Sequence, residues 1–266
     1  MSAGESRVHP RSAGFFADLR SVSLRAIRLT VRDPEAFVPA LIIPVFFFIV
    51  NVGALQSFVE GSFPPGYDYK AFQLPVAVVF AVTGVSRANA LVLDIRDGYF
   101  DRLLLTPVRR GTLLLGLMSA DFLLITALTI PVAILGLLVG IHPATGLIGV
   151  ALFVLIAGLW GLAFTGFPYA IALRTGNPTA VNNAFLLFFP FAFLTTAYIP
   201  REAMTGWLST AVRFNPTTYL LDGMRALLQD GWKWQRIGTA FLAVGVIGAV
   251  SFSLAFGALR GRVKRN

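Results

Sequence analysis

An all-α polytopic membrane protein is the fold class this sequence predicts, on three observations. Hydrophobic residues make up 56% of the 266 and charged residues only 13%, with a mean hydropathy of +0.74, whereas a soluble globular domain is roughly 45–50% apolar. The apolar residues fall into runs of about 20, the length that crosses a bilayer as a helix. The charges collect between and beyond those runs, above all in 94–110, DIRDGYFDRLLLTPVRR, which must therefore lie in water.

Composition also narrows the chemistry. There is no cysteine, so the sequence offers no disulfide framework, no thiolate nucleophile and no Cys-ligated metal. With His9 and His142 the only imidazoles, neither a metal site nor a catalytic residue is expected on this chain. The formal charge of +9 does not point to nucleic acid, because the basic residues sit at the ends of apolar spans. Sixteen of the 22 Lys and Arg residues lie in the amino-terminal arm, around 87–110, at Arg174 and in the carboxyl tail. The positive-inside rule makes those four regions cytoplasmic, both termini included.

Residues 1–34 form a cytoplasmic arm with no apolar run beside the initiator methionine, so no cleavable signal peptide is expected. Within it, 15–32 reads as an amphipathic helix. Asp18, Ser21, Arg25, Arg28 and Arg32 share one face and Phe15, Leu19, Val22, Ala26 and Leu29 the other, a pattern suited to lying on membrane lipid.

Residues 35–266 form a six-span domain. The spans fall at about 36–58, with Pro39 and Pro44 as kinks, 72–93, 113–139, 146–173, 180–198 and 237–259. Between the last two, 199–230 is long enough to cross but carries Arg201, Glu202, Arg213, Asp222, Arg225 and Asp230. It reads instead as two half-length helices that dip into the outer leaflet and return. Asn215-Pro216 supplies the cap and first residue of the second helix. Trp207, Trp232 and Trp234 near the span ends suit an interfacial belt.

The charged stretch is the mechanical element. Asp94, Asp97 and Asp101 stand at i, i+3 and i+7, which puts three carboxylates on one face of a short helix, and Thr106-Pro107 closes it. A partner pushing on this helix moves both flanking spans. Arg87 and Asp121 lie at comparable depth in those spans, where an unpaired charge is costly, so an ion pair between them is expected. Gly245, Ala249, Ser253 and Gly257 on the last span, and Gly136 and Gly140 on the third, read as helix-packing ridges. Asn51, Asn182 and Asn183 read as interhelical hydrogen bonders. With Phe185 and Phe189, part of a cluster that includes Phe188, Phe191 and Phe193, they are also the candidates for lining an apolar cavity.

Two motifs carry a family resemblance. Asp94, Gly98, Asp101, Arg102, Leu103, Thr106, Pro107 and Arg109 resemble the cytoplasmic loop of ABC-2 type permeases. FPFAFLTTAYIPREAMTGWL and FNPTTYLLDGMRALL are similar to the fifth span and outer helices of the daunorubicin-resistance-like permease subgroup. Asp101 is a departure, since many members carry Glu there; the charge is kept.

The resemblance implies a type-2 ABC exporter subunit in a bacterial cell membrane. It pairs with a second permease, a copy or a paralogue, and with two cytoplasmic ATPase subunits that hold ATP and Mg. Asp94, Asp97, Gly98, Asp101, Arg102, Leu103, Thr106 and Pro107 then form the coupling helix. The chain has no Gly-x-x-x-x-Gly-Lys-Ser/Thr phosphate loop, so hydrolysis is expected on the partner. The cargo would be apolar or amphiphilic: a drug, a lipid or a glycolipid. A secondary transporter or channel without an ATPase is the alternative, but it should show internal repeats or polar mid-membrane residues, and no convincing repeat is found. An intramembrane hydrolase is disfavoured because His142 lies at a turn with no serine motif beside it.

Overall fold

A computed structural model describes residues 24, 34–63, 67–104 and 110–264. Apart from Leu24, the expected amphipathic helix at 15–32 lies outside the described residues, as do Pro64, Pro65, Thr106 and Pro107. Every regular element among the described residues is helical. The α-helices are α1 (Pro34–Ser62), α2 (Tyr69–Thr83), α3 (Ala88–Arg96), α4 (Tyr99–Leu104), α5 (Arg110–Leu138) and α6 (Gly146–Thr175). They continue with α7 (Pro178–Asn182), α8 (Phe189–Phe193), α9 (Gly206–Phe214), α10 (Pro216–Arg225) and α11 (Trp234–Val263).

Five stretches are long and apolar enough to cross a membrane: Pro44–Ser62, Tyr69–Arg96, Gly111–Leu138, Gly146–Thr175 and Trp234–Val263. At 1.5 Å per residue the longest, 30 residues, reaches about 45 Å, more than the hydrocarbon core requires. α6 is the central post. Phe153, Ile156, Trp160 and Tyr169 on it are buried, and it packs against α2, α3, α5 and α11. Gly166 lets α11 come in closely, because a Cβ there would lie 2.6 Å from the backbone carbon of Ser251. The Ser251 hydroxyl donates to the Ala163 carbonyl across the same contact.

Local sequence explains the ends. Asp68 caps α2, its side chain accepting from the Ala71 N–H. Gly176, at φ 58°, takes the left-handed conformation that ends α6. Asn177 with Pro178 then starts α7.

The second expected span, 72–93, is two helices rather than one. α2 stops at Thr83 and α3 starts at Ala88, with the Gly-Val-Ser-Arg run between them failing to continue the ladder. The fifth, 180–198, is not a single helix either. It runs through α7, a 3₁₀ turn at Asn183–Leu187 and α8, and then loses helical structure. Pro190 at the start of α8 removes one backbone donor and restricts Phe189 before it.

The ridge expected on the last span is also reversed. Gly245 and Gly257 have nothing within 4 Å of a built Cβ, and the opposite face, with Ala240, Ser251, Ala255 and Ala258, is the buried one. On the third span Gly136 does pack, against Leu74, while Gly140 is a turn residue at φ 93°.

Candidate functional site

The charged stretch forms a corner. α3 carries Asp94 and Arg96 to its end, and Asp97 follows with its N–H donating to the Leu93 carbonyl at 2.9 Å. Gly98 then turns the chain at φ 68°, a conformation that favours glycine. α4 begins at Tyr99 and includes Asp101, Arg102 and Leu103. Asp94, Asp97 and Asp101 therefore do not share one helix, because the glycine between them breaks it. Asp97 and Arg102 are exposed, while Leu91, Ile95 and Phe100 beneath them are buried against Leu114, Met118, Leu173 and Leu259. The charged tip is thus fixed to α5, α6 and α11 by an apolar base. Arg96 adds a polar tie, its Nε donating to the Gly176 carbonyl at 3.1 Å.

Arg87 and Asp121 do meet. One hydrogen bond between them runs from the Arg87 backbone N–H to Asp121 Oδ1, 3.2 Å, and the Tyr169 hydroxyl donates to Oδ2 at 2.8 Å. Asp121 has no exposed surface. Lying at the start of α3, its carboxylate satisfies an N–H that the α2–α3 break sets free and sits where the helix dipole favours negative charge.

The expected cavity residues do not converge. Asn51 Nδ2 donates to Phe47 within its own helix, 2.8 Å. Asn182 and Asn183 are exposed, and Asn182 accepts from Asn89 Nδ2 at 2.6 Å. The Phe185 side chain lies outside the described residues. Phe189 is 45% exposed and stacks on Phe193 with centroids 5.5 Å apart.

An aromatic wall exists, centred elsewhere. Phe80 of α2 stacks on Phe47 of α1 at 5.5 Å and meets Phe188 and Phe193 edge-on at 5.6 and 6.1 Å. A cavity of about 90 Å³ lies at the α2–α3 break beside Thr83, Ser86, Asn89 and Asn182.

The backbone of the 180–198 stretch is held by side chains from other elements, a role that the sequence did not show. Asn215 caps α10, accepting from the Thr217 N–H, and its Nδ2 also donates to the carbonyls of Phe191 and Leu194, both at 2.7 Å. Gln73 donates to the Ala197 carbonyl at 3.1 Å. Arg225, 5% exposed, donates to Thr196 Oγ1 at 2.8 Å, to the Thr196 carbonyl at 2.7 Å and to the Phe72 carbonyl at 3.1 Å. Its guanidinium carbon also stands 3.5 Å from the Phe72 ring centroid. Non-helical backbone at membrane depth needs such internal partners. The available signal was a polar residue inside an apolar run, Gln73 in the second span and Arg225 in LLDGMRALL.

Membrane-length helices around a central post, an exposed charged corner rooted in them, and a broken apolar stretch stitched by buried polar side chains define a multi-pass membrane protein. The model of the ABC-2 type transporter family matches residues 17–228, and the chain belongs to that family as a transporter permease subunit. It is 26% identical to the daunorubicin resistance ABC transporter permease protein DrrB1 of Streptomyces coeruleorubidus, over 100% of this chain and 91% of that one. It is 23% identical to the probable doxorubicin resistance ABC transporter permease protein DrrC of Mycobacterium tuberculosis, over 78% of this chain and 75% of that one. The putative transport permease ycf38 of Pyropia yezoensis is 25% identical over 81% and 75%.

Proposed function

We propose that this chain is the membrane-spanning half of an ATP-driven exporter that moves an apolar or amphiphilic compound, a drug, lipid or glycolipid, out of the cytoplasm or inner leaflet. ATP and Mg act on two separate ATPase subunits, and the chain pairs with a second copy or a paralogous permease. The 180–198 stretch counts as the sixth crossing, so that both termini face the cytoplasm of a bacterial cell.

The observation that carries this reading is the corner at Asp97 and Gly98. It presents exposed charge on an apolar base shared with three long helices, so that a water-side partner pressing on it would move all three. A push displaces α3, whose N-cap residue Arg87 is held through its N–H by Asp121 of α5 and whose last turn is tied to the end of α6. Closing and opening two such corners switches the space between permeases from inward-facing to outward-facing, a two-state element biased by ATP bound elsewhere. The names of the drug-resistance relatives and the Phe80 wall support an apolar, aromatic-tolerant cargo.

The test is charge reversal, Asp97→Lys with Asp101→Lys, in the co-purified transporter. Substrate-stimulated ATP hydrolysis should be lost while the thermal unfolding of the membrane part is unchanged, because attraction to the ATPase surface becomes repulsion. Retained stimulation in a folded variant would sink the coupling role. Robust hydrolysis by the isolated chain would sink the division of labour.

A further inference from the structure

The end of the bundle remote from Asp97 and Gly98 carries a second feature. Tyr69 and Arg96 bound one 28-residue membrane-length stretch, α2 starting at the first and α3 ending at the second. At the Tyr69 end, a cleft of about 540 Å³ opens between α2, α10 and the start of α11, a size suited to a small molecule or a headgroup.

Its lining is mostly polar and charged. Arg201, Arg225, Arg236, Asp222 and Asp230 all face it. Arg236 pairs with Asp230 at 2.7 Å and Arg225 stands 3.9 Å from Asp222. Arg225 is already committed to the carbonyls of Phe72 and Thr196, so it is a wall rather than a hand. Arg201 makes no ion pair among the described residues. Three arginines against two aspartates leave the cleft with a net charge of +1. A dianion would be repelled by the aspartates, whereas a monoanion matches the surplus.

Depth argues for a lipid source. Trp234, two residues before Arg236, is 68% exposed and stacks on Trp232 with centroids 5.2 Å apart. Exposed tryptophan marks the headgroup level of a bilayer. Tyr67, Phe72 and Tyr219 complete the lining with ring surface, suited to the glycerol and first methylenes of an amphiphile.

We propose that this cleft binds the phosphodiester headgroup of an amphiphile, with the phosphate between Arg201 and Arg236 and hydroxyls facing Gln235 and Thr239. Arginine forks suit phosphate oxygens, and the exposed Arg236–Asp230 pair is weak enough to yield to them. The site is distinct from the coupling corner and from the Phe80 wall.

The experiment is thermal unfolding of the delipidated, detergent-solubilised transporter with three probes. They are dioleoyl phosphatidylglycerol, dioleoylglycerol with the same tails but no phosphate, and water-soluble glycerophosphoglycerol. Phosphatidylglycerol should raise the melting temperature of the natural chain and dioleoylglycerol should not. Arg201→Gln and Arg236→Gln, made separately, should each weaken the apparent affinity about tenfold, the loss of a hydrogen bond to a charged group. Arg260→Gln, exposed in the last turn of α11 and so at the other end of that helix from the cleft, should leave it unchanged. Binding of glycerophosphoglycerol with the same dependence on Arg201 supports the phosphodiester site and assigns its source to soluble esters. Equal stabilisation by dioleoylglycerol overturns the proposal, as does undiminished affinity in both Gln variants when their lipid-free unfolding matches the natural chain.

Discussion

Asp121 is fully enclosed, and both of its oxygens are occupied by donors from other elements. Removing one partner is costlier than its bond strength, since a buried acceptor is then left unsatisfied. Tyr169→Phe should therefore lower stability in detergent by about 1–2 kcal/mol, and Asp121→Leu by more, because it also frees the N–H at the start of α3. The double variant should fall short of the sum by about 0.5–2 kcal/mol, as for residues in one network. Denaturant unfolding of the four proteins checks this, and strict additivity would show that the Tyr169–Asp121 bond contributes nothing. The meeting of Arg87 and Asp121 was legible from depth alone. The atoms were not, because the donor is a backbone N–H that exists only where the helix breaks, and 84–87 reads in sequence as the continuation of an apolar run.

At the scale of elements, the broken 180–198 stretch and α10 stabilise each other. Asn215 performs two jobs with one side chain, its oxygen capping α10 and its nitrogen holding the carbonyls of Phe191 and Leu194. Asn215→Asp keeps the cap but turns both donors into an acceptor facing two carbonyl oxygens. Asn215→Ala loses everything. Both should destabilise, and the informative expectation is that Asp is no better than Ala, with each costing about 2–4 kcal/mol. Recovery of most of the stability by Asp would mean that the cap alone matters. The Asn-Pro pair made the cap visible in the sequence, but the stitching was hidden for a physical reason. Arg225 reaches a carbonyl 153 residues away, and periodicity reports only neighbours on the same helix. The charged segment failed in the same manner: spacing put three carboxylates on one face, and a single glycine at φ 68° separated them.

For the whole molecule, class and family were readable because they rest on composition and on motif order, which tolerate local breaks. How force would travel was not readable, because it depends on which polar atoms bridge the helices. α3 is the short element between two breaks, and its far end is joined to α6 through the Arg96 Nε bond to Gly176. Since Arg96 is exposed, Arg96→Ala should change unfolding stability by no more than about 0.5 kcal/mol. Its effect should fall on coupling: basal hydrolysis by the ATPase subunit stays, and stimulation by substrate drops, because a displaced corner no longer carries the end of α6 with it. Arg96→Lys retains a donor with enough reach and should restore part of the stimulation, which separates a tie to Gly176 from a packing role. Full stimulation in Arg96→Ala would place the transmission in the apolar base of Leu91, Ile95 and Phe100 instead. Loss in Arg96→Ala with equal loss in Arg96→Lys would point to a guanidinium contact on the ATPase subunit.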